Sequence, residues 1–171
     1  MTIESTTIPG ELNVDIRDST FFQKWDQLPS IEDVRSASME KYSQAFPGRP
    51  ITESFYGKPP FVSFNDKNVF VKWGTMALIS EGQWLLAIRQ HFGAAVPVPE
   101  VYGWRQEGKV VYIFMELIRG QTLEYAWDSL AEEERTSICF ELRTIFRNLR
   151  LGKQDSRIPL VGQSFMITHR G

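Results

Sequence analysis

The segment from Val110 to Leu117 constrains the fold most, because it is apolar at nearly every position. Such a run is typical of a strand that is covered on both faces. The segment Val101 to Trp104 predicts a strand before it, and a turn containing Glu107 and Gly108 joins the two. The sequence therefore predicts a β-hairpin whose second strand is buried on both faces.

A second hairpin is expected earlier in the chain, followed by a helix. Two apolar segments, Phe61 to Phe64 and Val69 to Trp73, flank a polar turn. A helix is expected from Met76 to Phe92, where the apolar positions keep roughly one stripe. Valine and proline alternate from Val96 to Pro99, which predicts an extended connector. The order hairpin, helix, hairpin predicts an α+β fold, in which an antiparallel sheet has one helix packed across it.

The N-terminal part of the chain is expected to add two helices. Residues 1 to about 19 are polar and without periodicity, which predicts a flexible lead-in. Ser30 and Asp33 form a variant capping box, which predicts a helix from Ile31 to about Phe46. A short amphipathic helix before it is predicted from the spacing of four apolar residues, Phe21, Phe22, Trp25 and Leu28.

Beyond Gly120 the pattern becomes helical again. Ser129 and Glu132 predict a capping box, and Gly152 marks the expected end of the helix. Its buried stripe is predicted to consist of Ile138, Leu142, Ile145, Phe146 and Leu149. The chain is therefore expected to have three parts, namely a tail with a helical extension (1–50), the sheet region (51–120) and a helical, then irregular, segment (121–171).

Composition narrows the classes of partner and compartment. The 171 residues carry a net charge of −2, which argues against a broad nucleic-acid surface. The one cysteine, Cys139, excludes an internal disulfide framework and favours a reducing compartment. No apolar run approaches the roughly 20 residues of a membrane-spanning helix, and the N-terminus does not resemble a secretory signal. We therefore expect a cytoplasmic protein that binds neither nucleic acid nor membrane.

Lys72 and Glu81 are the first candidate site residues. Lys72 shares a face of its apolar strand with Phe70, so its ammonium requires an anion, either a carboxylate or a phosphate. Glu81 lies on the apolar stripe of the next helix, where a carboxylate is costly unless it is paired. Because that helix follows the strand directly, a Lys72–Glu81 ion pair is expected. The alternatives are an edge-strand lysine that discourages aggregation and a partly exposed glutamate near a helix start.

The exit of the buried strand is the second candidate. Backbone groups that leave a sheet near Met115 can hydrogen-bond a flat heterocycle, and the Met115 side chain would shape the back of such a slot. The alternative is an ordinary connection between a strand and a helix. The sequence contains neither the constellation of a nucleophilic triad nor the spacing of zinc ligands.

Several blocks of sequence occur in a characteristic order. They are Val71-Lys72-Trp73-Gly74, the helix with Glu81 and Arg89-Gln90-His91, the connector Val96 to Trp104, the exit Met115 to Leu123, Trp127 to Leu130, and Glu132 to Arg135. Over about residues 60 to 151 the chain thereby resembles aminoglycoside phosphotransferase-like proteins, a kinase-like group, and most closely their large fungal branch.

This resemblance implies a protein-kinase-like N-lobe, preceded by the N-terminal helices and followed by a first helix of the C-lobe type. Lys72 would hold the α- and β-phosphates of ATP, and Glu81 would orient it. Residues Met115 to Ile118 would form the hinge, with backbone groups of Glu116 and Ile118 facing adenine. Mg²⁺ would accompany the bound nucleotide.

The sequence departs from the family pattern at two places. In kinase-like proteins a glycine-rich loop covers the phosphates, but this chain offers only Gly57 before the lysine strand. Phosphoryl transfer also needs a His-Gly-Asp loop, an asparagine and a metal-binding aspartate, whereas the sequence ends at Thr168-His169-Arg170-Gly171. We therefore expect a truncated relative, a pseudoenzyme that binds ATP without transferring phosphate to a small-molecule hydroxyl, and we predict neither catalytic residues nor metal ligands. The alternative is a non-catalytic interaction or regulatory module, which uses the exposed lower face of the lobe to pair with another protein or with itself.

Overall fold

A five-stranded antiparallel sheet organises the larger of two units in the computed structural model, which describes residues 8–57 and 59–152. The larger unit comprises Met1–Leu86 with Pro99–Ile118, and the other comprises Ala87–Val98 with Arg119–Gly171. The spatial order of the strands is β1-β4-β5-β3-β2. Their bounds are β1 Val14–Asp15, β2 Val62–Phe64, β3 Val69–Gly74, β4 Val101–Glu107 and β5 Val110–Glu116.

The described residues also form five α-helices and two short 3-10 turns. The helices are α1 Ile31–Ala45, α2 Glu53–Gly57, α3 Ile79–Phe92, α4 Leu123–Ala126 and α5 Glu132–Gly152. The 3-10 turns span Gly93–Ala95 and Trp127–Ser129. The α+β class with an antiparallel sheet is confirmed. No helix in the described part of the chain combines the length and apolarity that crossing a membrane requires.

The sheet carries apolar clusters on both of its faces. One cluster includes Val69, Val71 and Trp73 of β3 together with Tyr112 and Phe114 of β5. The opposite face of β5 contributes Val111, Ile113 and Met115, which pack with Ala77, Phe70, Ile79 and Leu85. The prediction that the β5 segment is covered on both faces is therefore confirmed.

Helix α1 covers the first of these faces. It begins as the sequence predicts, because the Ser30 hydroxyl oxygen accepts from the Asp33 N–H at 3.0 Å and the Asp33 carboxylate accepts from the Ser30 N–H. These bonds, the side-chain contact with Ser30 first, hold the pKa of the Asp33 carboxyl below its usual value. Val34 and Ser38 are fully buried, and the Arg35 Nε donates to the Tyr112 hydroxyl at 2.8 Å. The helix is thus attached to the sheet by packing and by a directed polar contact.

The prediction for residues 8–28 is wrong in two respects, and residues 1–7 lie outside the described part. The expected lead-in contains β1, which pairs with Gly103 and Trp104 of β4. The expected helix at Phe21 is a single turn, in which the Phe21 carbonyl accepts from the Lys24 and Trp25 amides. One turn is too short to be stable on its own, so tertiary contacts fix its geometry. Phe21 is buried against Tyr102, with ring centroids 5.1 Å apart.

Helix α3 begins at Ile79, three residues later than the sequence predicts. The amides of Thr75 and Met76 explain the delay, because they donate to the carbonyls of Tyr56 and Gly57 at the end of α2. No pattern in the sequence predicts the short helix α2.

The helical segment after Gly120 differs from its prediction at the start and along the face of α5. The Ser129 hydroxyl donates to the Ala126 carbonyl, whereas the Ala131 N–H is capped by the Glu134 carboxylate at 2.8 Å. The predicted capping box of Ser129 and Glu132 is therefore wrong. The predicted stripe is not buried either, since Leu142 and Phe146 are 38% and 56% exposed. The spacing identifies an apolar face, but it does not supply a partner for that face.

Candidate functional site

Lys72 projects from the face of the sheet that carries α3. It pairs with Ile113 of β5, and its side chain is half-exposed. Strand β3 has β5 on one side and β2 on the other, so it is an interior strand. The pairing with β2 ends at Val71, however, so Lys72 lies one residue beyond it and the interpretation as an edge-strand lysine stays a prediction.

Glu81 joins this lysine to the start of α3. One carboxylate oxygen accepts from the Leu78 N–H at 3.1 Å, and the other accepts from the Lys72 ammonium. The expected ion pair is thus present, although Glu81 also lies in the first turn of its helix. Both interpretations of Glu81 hold at once, because the same carboxylate caps the helix and pairs with the strand.

The Lys72–Glu81 pair contributes little to the stability of the fold. The two side chains are 50% and 34% exposed, and pairs of this kind contribute about 0–1 kcal/mol. The main effect of the pair is to orient the Lys72 side chain. A flexible lysine side chain is held over the sheet in one direction by a carboxylate that is itself fixed to the helix start.

An aromatic pair that the sequence analysis missed lies beside Lys72. Phe70 pairs with Met115 across the strands, and its ring stacks on that of Phe61 at a centroid distance of 5.1 Å. The Lys41 ammonium lies 3.6 Å from the Phe61 centroid and donates to the Phe61 carbonyl. Alternation along β3 places Phe70 on the same face as Lys72, as the sequence predicts, but the contact of Phe70 with Phe61 was not predicted.

Met115, Glu116 and Ile118 lie where β5 leaves the sheet. Met115 is buried in the cluster beneath α3. The Glu116 N–H donates to the Glu100 carbonyl at 2.8 Å, and the Leu117 N–H donates to the Asn68 carbonyl at 3.0 Å. Ile118 is 62% exposed at the end of the larger unit. The backbone of the exit is therefore held from both sides, by the residues that immediately precede β4 and β3.

A polar network behind the exit was also missed. Thr20 donates its N–H and its hydroxyl to the Glu100 carboxylate. Tyr102, the second residue of β4, lies two positions after Glu100, and burial raises the pKa of its phenol. Thr20 and Glu100 are separated by 80 positions, so no local pattern could connect them.

The register of β3 and β5 relates the lysine to the exit. Val69 pairs with Glu116, and Lys72 lies three residues further along the strand. At the usual rise of a strand this separation is about 10 Å. The distance is comparable to the reach from a purine ring to the phosphates of its nucleotide. Lys72 and Glu81 meet directly, whereas Met115, Glu116 and Ile118 form a second group at the exit of β5.

Neither a cluster of metal ligands in the described residues nor a match to a known protein bears on this site. Within residues 8–57 and 59–152, no group of three or more histidine, cysteine, aspartate or glutamate side chains is placed to hold a metal ion. No family model, no curated protein and no solved structure matches the chain.

Proposed function

We propose that the larger unit is a nucleotide-binding lobe of the kinase-like type. More particularly, we propose that it binds ATP in the manner of aminoglycoside phosphotransferase-like proteins of the fungal branch. The observation that supports the proposal best is the contact between the Lys72 ammonium and the Glu81 carboxylate. A lysine on a strand paired with a glutamate on the following helix is the arrangement by which protein kinases hold the phosphates of ATP.

The chemistry of Lys72 suits a phosphate ligand. An ammonium has three donors, and the bond to Glu81 uses one of them. The half-exposed side chain therefore retains donors for phosphate oxygens. Mg²⁺ would enter with the nucleotide, because this ion is usually held by phosphates, water and few protein ligands.

The backbone at the end of β5 is suited to bind the adenine base of ATP. Met115 would lie at the back of the slot, and backbone groups of Glu116 and Ile118 would meet the edge of adenine. The expected acceptor of the transferred phosphate is a small-molecule hydroxyl in this family. We assign no catalytic residue in the described part of the chain, so the proposal concerns nucleotide binding.

A second function is supported by exposed apolar side chains in the larger unit. Phe61, Met76, Leu78 and Ile118 are each more than half exposed, at 52%, 72%, 57% and 62%. A contiguous apolar patch formed by such side chains would mark a protein interface. The alternative proposal is therefore an interaction or regulatory module, which would pair with another protein or with a second copy of this chain.

A thermal-shift titration with Mg²⁺-ATP tests the first proposal. A ligand that binds only the folded state raises Tm once its concentration exceeds Kd. We expect Lys72→Met to abolish this shift and Lys67→Met to retain it. Lys67 is a matched control, because it lies in the preceding turn with its ammonium 5.5 Å from the Trp25 ring.

A shift in Lys72→Met equal to that of the native chain would contradict the assignment of Lys72. The absence of any shift in the native chain, together with concentration-dependent sedimentation, would favour the interaction module.

A further inference from the structure

The pairing between Glu116 and Glu100 is irregular in one of its two hydrogen bonds. In a regular antiparallel pair of this kind, each residue donates its N–H to the carbonyl of the other. The Glu116 N–H follows this rule and donates to the Glu100 carbonyl at 2.8 Å. The Glu100 N–H does not, because it donates to the Glu116 carboxylate oxygen Oε2 at 3.2 Å.

This change of acceptor alters the hydrogen bonding of the Glu116 backbone carbonyl. A backbone N–H is an obligatory donor, and a carboxylate is a stronger acceptor than an amide carbonyl. The side chain of Glu116 therefore takes the donor that a regular ladder would give to its own carbonyl. The Glu116 carbonyl is left outside that ladder bond at the point where β5 ends.

The neighbouring contacts fix the direction of this carbonyl. Glu100 is held by two bonds from Thr20, and the next amide, that of Leu117, is held by the Asn68 carbonyl at 3.0 Å. The peptide unit between Glu116 and Leu117 therefore has little freedom to rotate. An acceptor with a fixed direction at low reorganisation cost is well suited to select a ligand.

We propose that the Glu116 carboxylate is a positioning group, which occupies the Glu100 N–H and thereby keeps the Glu116 carbonyl available to a 6-aminopurine. This inference rests on the proposed nucleotide site and assigns a role to a side chain that need not touch the nucleotide. The exocyclic amine of adenine is a donor that matches the carbonyl, whereas guanine presents an acceptor at the same position. This hydrogen-bond arrangement therefore favours ATP over GTP.

Calorimetric titrations with Mg²⁺-ATP, Mg²⁺-GTP and inorganic tripolyphosphate test the inference. In Glu116→Ala, the Glu100 N–H is expected to return to the carbonyl, so ATP affinity should fall about five- to tenfold, the effect of one hydrogen bond. The preference for ATP over GTP should fall with it. Tripolyphosphate has no base and reports the Lys72 end of the site, so its affinity should stay within about twofold. Glu116→Gln offers the Glu100 N–H only an amide oxygen, which is no stronger an acceptor than the backbone carbonyl, so its ATP affinity should lie between those of the native chain and Glu116→Ala.

The outcomes separate this inference from the proposed function. If the native chain binds neither ATP nor tripolyphosphate, the proposed function is wrong and the inference fails with it. If the native chain binds ATP but Glu116→Ala keeps its affinity and its preference over GTP, only the inference is wrong. An equal loss of tripolyphosphate affinity in Glu116→Ala would also overturn it, because tripolyphosphate has no base to bind the Glu116 carbonyl.

Discussion

The carboxylate of Glu81 connects two elements through its two oxygens. One caps the first turn of α3 through the Leu78 N–H, and the other pairs with Lys72. The two roles have different chemical requirements. A cap needs an acceptor oxygen, whereas the ion pair needs a negative charge, so conservative substitutions can separate them.

Two substitutions of Glu81 give different predicted outcomes. Glu81→Gln keeps an oxygen for the Leu78 N–H and should change the free energy of unfolding by less than about 1 kcal/mol. Glu81→Ala also removes the cap and should cost about 1 kcal/mol more. Urea denaturation at neutral pH measures both values. Equal stability of the two variants would show that the contact with Leu78 does not act as a cap.

At the level of single residues, the sequence predicts contacts between neighbouring elements and misses distant ones. Lys72 and Glu81 could be paired in advance because α3 follows β3 directly. Thr20 and Glu100 could not, because their contact depends on how the N-terminal segment lies across β4. The role of the Glu116 side chain was likewise invisible, since it depends on which acceptor one amide finds in the folded sheet.

At the scale of elements, β1 is attached where β4 has no side chain. A Cβ at position 103 would overlap the Val14 carbonyl oxygen and lie 2.9 Å from the Leu28 Cδ1. Glycine therefore allows the N-terminal segment to approach the sheet closely. The Ile16 N–H extends this attachment by donating to the Tyr102 carbonyl at 2.9 Å.

Gly103→Ala is expected to loosen this segment. Overfilling a packed site costs about 1–3 kcal/mol, and backbone amides near Ile16 should exchange with solvent faster. Gly10→Ala is the control, because no atom lies within 4 Å of a Cβ there. Denaturation with hydrogen exchange measures both effects. Unchanged stability and unchanged exchange in Gly103→Ala would contradict the close packing of β1 on β4.

Elements with a strong local pattern were the ones that the sequence predicted. Both hairpins and α1 follow from apolar alternation, turn residues and the Ser30 cap. Strand β1 spans only two residues and has no periodicity to detect. The aromatic spacing at Phe21 resembles a helix, but it arises because one turn buries Phe21 against the sheet.

At the scale of the whole molecule, local periodicity identifies apolar faces without identifying what covers them. The β5 segment is buried on both sides, as its composition predicts. The apolar stripe of α5 has the correct spacing for a buried face, yet Phe146 remains more than half exposed. The difference is that β5 is enclosed by elements of its own unit, whereas a helix pattern alone does not specify a partner.

Hydrogen–deuterium exchange of the chain with and without Mg²⁺-ATP probes both ends of the proposed nucleotide site at once. Bound nucleotide should slow exchange in two places, the β3 segment Val69–Gly74 and the exit of β5 at residues 115–118. Helix α1 covers the other face of the sheet, so its exchange should stay unchanged. No change at millimolar ATP, or protection confined to α1, would contradict a nucleotide site built on Lys72, Glu81 and Glu116.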